Sequence, residues 1–128
     1  MQKITGIGGV FFKARDPQGL MAWYDKHLGL KFQYGFTKFR WADEQANKAP
    51  GSTILSIFKE DSPHFQPSEK PWMINFRVSD LRSLLTELRE NGVTIAGDIQ
   101  EDDFGKFGWI LDPEGNKIEL WEPVESAL

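Results

Sequence analysis

Two spacings of apolar residues alternate along this chain. IGGVFFKA at 7–14 is apolar and β-prone; Asp16 then stands as a helix N-cap, with Pro17 at the first helical position, where a missing N–H costs nothing. Leu20, Met21, Tyr24 and Leu28 follow at helical spacing, and Gly29 supplies the left-handed residue that commonly closes a helix. Leu81, Leu84, Leu85 and Leu88, with Gly92, repeat the design. Short strands are predicted near 30–36, 37–42 and 52–59 after the first helix, and near 94–100, 106–111 and 116–122 after the second. DPEGN at 112–116 reads as a hairpin turn, ADEQANKAPG at 42–51 as a longer loop, and the Pro-bearing EDSPHFQPSEKP at 60–71 as a linker.

The pattern is a twofold internal repeat. Asp16 and Asp80 stand 64 residues apart, as do Phe12 and Phe76, Lys13 and Arg77, and Leu20 and Leu84. GSTILSIF at 51–58 lies over GNKIELWE at 115–122 in the same register, which places Leu55 over Glu119. Each half is a strand, a helix and three strands. The predicted fold is therefore α+β, a single domain over 1–128 made of two βαβββ modules at about 1–62 and 70–125.

Parity divides each strand between two faces. Val10, Phe12 and Ala14, with Ile74, Phe76 and Val78, are uniformly apolar and are expected to pack under the helices. The other parity gives Gly9, Phe11 and Lys13 in one half and Met73, Asn75 and Arg77 in the other, a mixed set suited to a ligand or solvent. The same reasoning puts Leu55, Ile57, Glu119 and Trp121 on that second face, where two curved half-sheets would enclose a cleft.

Composition narrows the chemistry. At 128 residues, with 40% hydrophobic and 27% charged positions, the chain has ordinary globular character and room for one good core. It contains no cysteine, which excludes disulfides, thiolate metal sites and cysteine nucleophiles. A net charge of −4 without a basic cluster argues against nucleic acid and anionic membranes, and no apolar run is long enough for a spanning helix. A cytoplasmic protein with a small-molecule partner is the expectation. GIGG at 6–9 lacks the lysine and the strand-loop-helix context of a phosphate loop, and there is no serine nucleophile elbow.

The repeat, the DPQGLMAWYDKHLGL segment and above all GWILDPEGNKIELWEP at 108–123 resemble the glyoxalase, bleomycin-resistance and extradiol-dioxygenase (vicinal oxygen chelate) superfamily over nearly the whole chain. The resemblance implies a half-barrel of two modules, often a homodimer, whose interior holds a small substrate and, in catalytic members, a divalent metal. It implies chemistry from hemithioacetal isomerisation to ring cleavage, or, in bleomycin-type members, sequestration alone. Carried over, the four metal-ligand places fall on Gly9, Leu55, Met73 and Glu119, of which only Glu119 suits a hard divalent ion. The expectation is therefore a binding protein without a metal cofactor. The alternative is a metal-dependent glyoxalase-like lyase or dioxygenase using Glu119.

Glu119 reads as a leftover ligand, a general base, or an acceptor for Lys13, Asn75 or Arg77. Arg77 and Lys13 would either grip a substrate anion or pair with Glu119. Phe11, Leu55, Ile57, Met73 and Trp121 are candidate pocket walls, with plain core packing as the competing reading. His27 reads as a C-terminal helix cation and His64 as a solvated linker residue. Trp41 and Trp109 are read as occupying matching third-strand positions in the two halves. A protein-interaction domain with a solid interior is the third reading, and an absent cavity would be its mark.

Overall fold

The computed structural model describes residues 3–41 and 51–124. Strand β1 (Ile4–Ala14) leads into helix α1 (Pro17–Leu28), followed by β2 (Phe36–Arg40) and β3 (Ser52–Lys59). A short 3-10 turn at Pro63–Phe65 begins the linker. The second module runs β4 (Trp72–Val78), α2 (Leu81–Glu90), β5 (Thr94–Ile95), β6 (Gln100–Asp102), β7 (Gly105–Leu111) and β8 (Lys117–Pro123).

All the strands belong to one sheet, in the order β2-β3-β1-β4-β8-β7-β5, with β6 also on β7. Each module's first strand runs parallel to its last, β1 with β3 and β4 with β8, and the two first strands pair antiparallel at the centre. The modules thus join within one chain, and the sheet curls into an open half-barrel with two helices on its outside.

Both helices begin as their sequences dictate. Asp16 accepts a hydrogen bond from Gly19 N at 3.0 Å and Asp80 accepts one from Ser83 N at 3.1 Å, satisfying N–H groups that have no partner inside the helix. Gly29 closes α1 at φ 71°. The two modules differ in how well the helix is seated. Leu81, Leu84 and Leu85 of α2 are buried with Val78 and Leu120, and each leucine contributes roughly 1.5–3 kcal/mol of hydrophobic stabilisation. Helix α1 has no buried residue at all, and Val10 on the outer face of β1 is 38% exposed. The expectation that this whole face lies under the helices therefore holds at α2 and fails along the centre of the sheet, where Ile7, Val10 and Trp72 remain open.

Two further expectations are corrected. No strand forms over 30–36 beyond a single bridge of Gln33 with Phe36, because Tyr34 and Gly35 take φ of 58° and 87° and turn the chain. Residues 94–100 do not extend as one strand, since Gly97 at φ 123° breaks the line between β5 and β6. The predicted hairpin at 112–116 forms, with Asp112 accepting from Glu114 N and Asn116 N and Gly115 at φ 81°. Residues 42–50 of the predicted long loop lie outside the described residues.

Candidate ligand-binding site

The concave side of the sheet encloses a cavity of about 170 Å³. Aromatic rings from both modules supply most of the wall: Phe11 on β1, Phe36 on β2, Phe104, Phe107 on β7 and Trp121 on β8. Ile54 and Ser56 of β3 close one side, Gly8 another, and the polar end is Asn75 and Glu119. Phe107 and Trp121 are stacked, 5.9 Å between centroids and 5° between planes, and the Trp121 indole donates to Phe104 O at 3.0 Å. Those contacts fix the aromatic wall.

Glu119 is 4% exposed and receives three N–H groups. Trp109 Nε1 donates to Oε1 at 2.9 Å from the neighbouring strand, and Asn75 Nδ2 donates to Oε2 at 2.6 Å from the other side. His64 Nε2 lies 3.2 Å from Oε1, and an ionised carboxylate only accepts, so that ring nitrogen is the donor. His64 is held there by stacking on Phe58, centroids 5.3 Å apart and planes 4° apart, with its ring edge-on to Trp109. Its backbone oxygen accepts from Lys117 Nζ at 2.6 Å. Burial holds the Lys117 ammonium below its ordinary pKa, against the opposing pull of the Glu119 charge.

A β-bulge explains why Gly8 lines the cavity. The β1–β4 pairing slips between Ile7, opposite Phe76, and Gly9, opposite Asn75, so the extra residue Gly8 turns inward. A Cβ there would lie 2.1 Å from Asn75 Oδ1 and 3.0 Å from the Trp121 ring, so only glycine fits beside the pinned Asn75 amide.

Among the residues singled out from sequence, Phe11, Asn75, Glu119 and Trp121 meet at the cavity. Met73 is fully buried beneath it, packed with Phe11, Phe65 and Trp109. Lys13 lies over the Phe65 ring at 5.3 Å, and Arg77 is wedged between Trp41 and Trp121, 5.2 Å from each, and donates to Ser52 O at 3.1 Å. Neither cation forms part of the cavity wall or pairs with Glu119 in the manner expected. Burial lowers the Arg77 pKa.

Leu55 and Ile57 are on the wrong face for the site. β1 pairs Phe11 with Ser56, and β4 pairs Asn75 with Glu119; Phe11 and Asn75 are 64 apart but Ser56 and Glu119 only 63. The first module therefore carries one more residue between β1 and β3 than the second does between β4 and β8, and a slip of one exchanges the faces of a strand. Ile54 and Ser56 therefore point inward, while Ile57 sits beside α1 in a separate groove. The same register makes Phe36, opposite Ser56, the counterpart of Trp109, opposite Glu119; Trp41 instead donates to Thr53 Oγ1 at 2.8 Å.

His64 is the main residue that sequence reasoning missed. It sits 55 positions from Glu119 in a polar linker, and no local spacing announces the contact. Phe107 was available from the alternation of β7, since it shares parity with Trp109.

The structure and the sequence agree with what other proteins show. Residues 6–120 match the model of the glyoxalase/bleomycin resistance protein/dioxygenase superfamily, and the chain belongs to that superfamily. Among solved structures, a methylmalonyl-CoA epimerase variant from Streptomyces coelicolor in complex with 2-nitronate-propionyl-CoA superposes with a TM-score of 0.67 at 15% identity, over 94% of this chain and 99% of that one. Methylmalonyl-CoA epimerase from Mycobacterium tuberculosis gives 0.63 at 21% identity, over 97% and 91%. A superfamily member from Vibrio splendidus 12B01 gives 0.59 at 13% identity, over 91% and 97%. At these identities the likeness shows the fold. No curated protein matches the sequence.

The four places at which catalytic members hold a metal carry few donors here. Gly9 has no side chain, Met73 is packed in the core, and the register puts Ser56 where Leu55 was expected. Glu119 spends three acceptor positions on N–H groups, and no three His, Cys, Asp or Glu side chains converge among the described residues. This donor set does not fit a resident zinc, nickel or iron ion.

Proposed function

We propose that the protein binds a small organic molecule in the half-barrel without a resident metal ion. The observation that carries this reading is the cavity itself, mostly apolar on its walls and polar at Ser56 and where Asn75 and Glu119 close it. Few well-placed polar groups in an apolar cleft are what orient a small ligand. Its volume is near that of an engineered cavity of about 150 Å³ that accepts benzene, so a ring-sized group fits inside and the rest of a larger ligand would project through the open side. A solid interior is the poorer reading for a chain with such a space.

Ligand-observed NMR with uncharged ring-sized fragments tests the reading, run against the wild-type chain and against Ile54→Trp, which fills the cavity. Fragments that bind the first and not the second support it. Failure of every fragment at millimolar concentration, or a large rise of the thermal midpoint with Zn, Ni, Mn or Fe, would overturn it.

The His64 and Glu119 pair favours one other reading, a metal-dependent lyase or dioxygenase. An imidazole and a carboxylate 3.2 Å apart are two of the donors a divalent ion uses, with further ones left to water. The metal titration distinguishes the two.

We also infer a homodimer. The support is Ile7, Val10 and Trp72, apolar residues on the convex side that stay 43%, 38% and 39% exposed and that pairing with a second copy would take out of water.

A further inference from the structure

From the chemistry of the cavity's closed end we infer that the preferred ligand is a small organic ammonium, an amine on an apolar or aromatic skeleton, and not an anion. The inference rests on the reading of the half-barrel as a ligand site and names the class of molecule it takes.

The spare hydrogen-bonding capacity that the contacts leave at that end is acceptor capacity. A carboxylate offers about four lone-pair positions. Glu119 uses three, two on Oε1 for Trp109 and His64 and one on Oε2 for Asn75, which leaves one on Oε2. Asn75 must turn its amide nitrogen to the carboxylate, so Oδ1 faces the other way; it is buried and has no hydrogen-bond partner. A buried acceptor left unsatisfied in this way is destabilising until something donates to it. The Ser56 hydroxyl, also in the wall, donates to Gly35 O at 3.4 Å and so has its lone pairs left to accept.

Among the described residues, no lysine or arginine lines the cavity. Arg77 is engaged between two indoles and with Ser52 O, and Lys117 with His64 O. An anionic ligand would meet a buried carboxylate with no wall cation to offset it. An ammonium gains a charge-assisted hydrogen bond to Oε2. The aromatic lining, Phe11 and Phe36 among it, then offers it further attraction, since aromatic quadrupoles favour a cation.

The test uses four probes of one shape on the wild-type protein at neutral pH: toluene, benzyl alcohol, benzylamine and benzoate. The indole N–H resonances of Trp109, the direct partner of Glu119, and Trp121, in the wall, report occupancy of the cavity and exclude surface binding by an acidic chain. Benzylamine is expected to bind at least tenfold tighter than toluene, with benzyl alcohol between them and benzoate weakest. Equal affinity for toluene and benzylamine, or a preference for benzoate, would overturn the ammonium assignment and leave the ligand site standing. If no probe shifts either resonance, the ligand site itself is wrong and this inference falls with it.

Discussion

Trp109 and Glu119 sit opposite each other on adjacent antiparallel strands, and the indole of the first donates to the carboxylate of the second at 2.9 Å. The contact ties the pole of the cavity to the aromatic cluster below it. Trp109→Phe keeps the ring and removes the N–H, leaving Oε1 with His64 alone. Hydrogen bonds to a charged group contribute about 1.5–3 kcal/mol, and a loss of that size is expected in chemical denaturation. A change below about 0.5 kcal/mol, the size of an ordinary surface substitution, would mean the carboxylate is satisfied without the indole.

Glu119→Gln removes the charge while keeping the shape. The side-chain amide must now present N–H groups to some of the three donors, so destabilisation is expected along with loss of the preference for benzylamine over toluene. Toluene binding should survive. Calorimetric titration of both probes checks this, and retention of the tenfold preference would place its origin elsewhere.

Gly8→Ala drives a methyl group to within 2.1 Å of Asn75 Oδ1. Because Asn75 is held by Glu119, the clash cannot be relieved by a free rotation, and overpacking of this kind costs about 1–3 kcal/mol. Thermal unfolding should register that cost. Fragment binding should weaken with it, since the methyl group enters the cavity wall.

The Asp112 carboxyl is held below its ordinary pKa, first by the Asn116 side chain and next by the Asn116 backbone N–H. The unfolded chain therefore takes up a proton at higher pH than the folded one. The contribution is complete above the unfolded value of 3.8 and is lost as pH falls through the lower folded value. Asp112→Asn should flatten the acid side of the stability profile; an unchanged slope would show that the hairpin does not depend on this charge.

Val10→Asp places a charge in the apolar strip on the convex face. Light scattering after size exclusion should find a dimer for the wild type and a monomer for the variant. A wild-type monomer at micromolar concentration would dismiss the dimer.

How far the sequence revealed this site depends on the distance over which its signals act. Helix caps such as Asp16, Asp80 and Gly29 are local, and both helices fall where periodicity placed them. Glu119 and Asn75 were found because parity is reliable along one strand. Leu55 was misplaced because parity carried from one strand to another requires the intervening segment to preserve count, and the stretch from β1 to β3 is one residue longer than that from β4 to β8. His64 was invisible for a different reason: its position comes from ring stacking on Phe58, a tertiary contact that overrides the polar character of its neighbours. The openness over Val10 was equally hidden, since an apolar residue reads the same whether a helix or another chain covers it.

The antiparallel join of β1 and β4 relates the two modules by an approximate twofold axis, with Ser56 and Glu119 as its mates. Were the modules identical, as in a pair of unfused halves, the axis would bring two carboxylates to one small cavity, and their repulsion would have to be offset by a proton or a cation. Joining the halves in a single polypeptide lets the mates diverge, one acidic and one neutral. A ligand entering here therefore meets a lopsided interior, and can be held in only one of the two orientations that the symmetry of the backbone would otherwise permit.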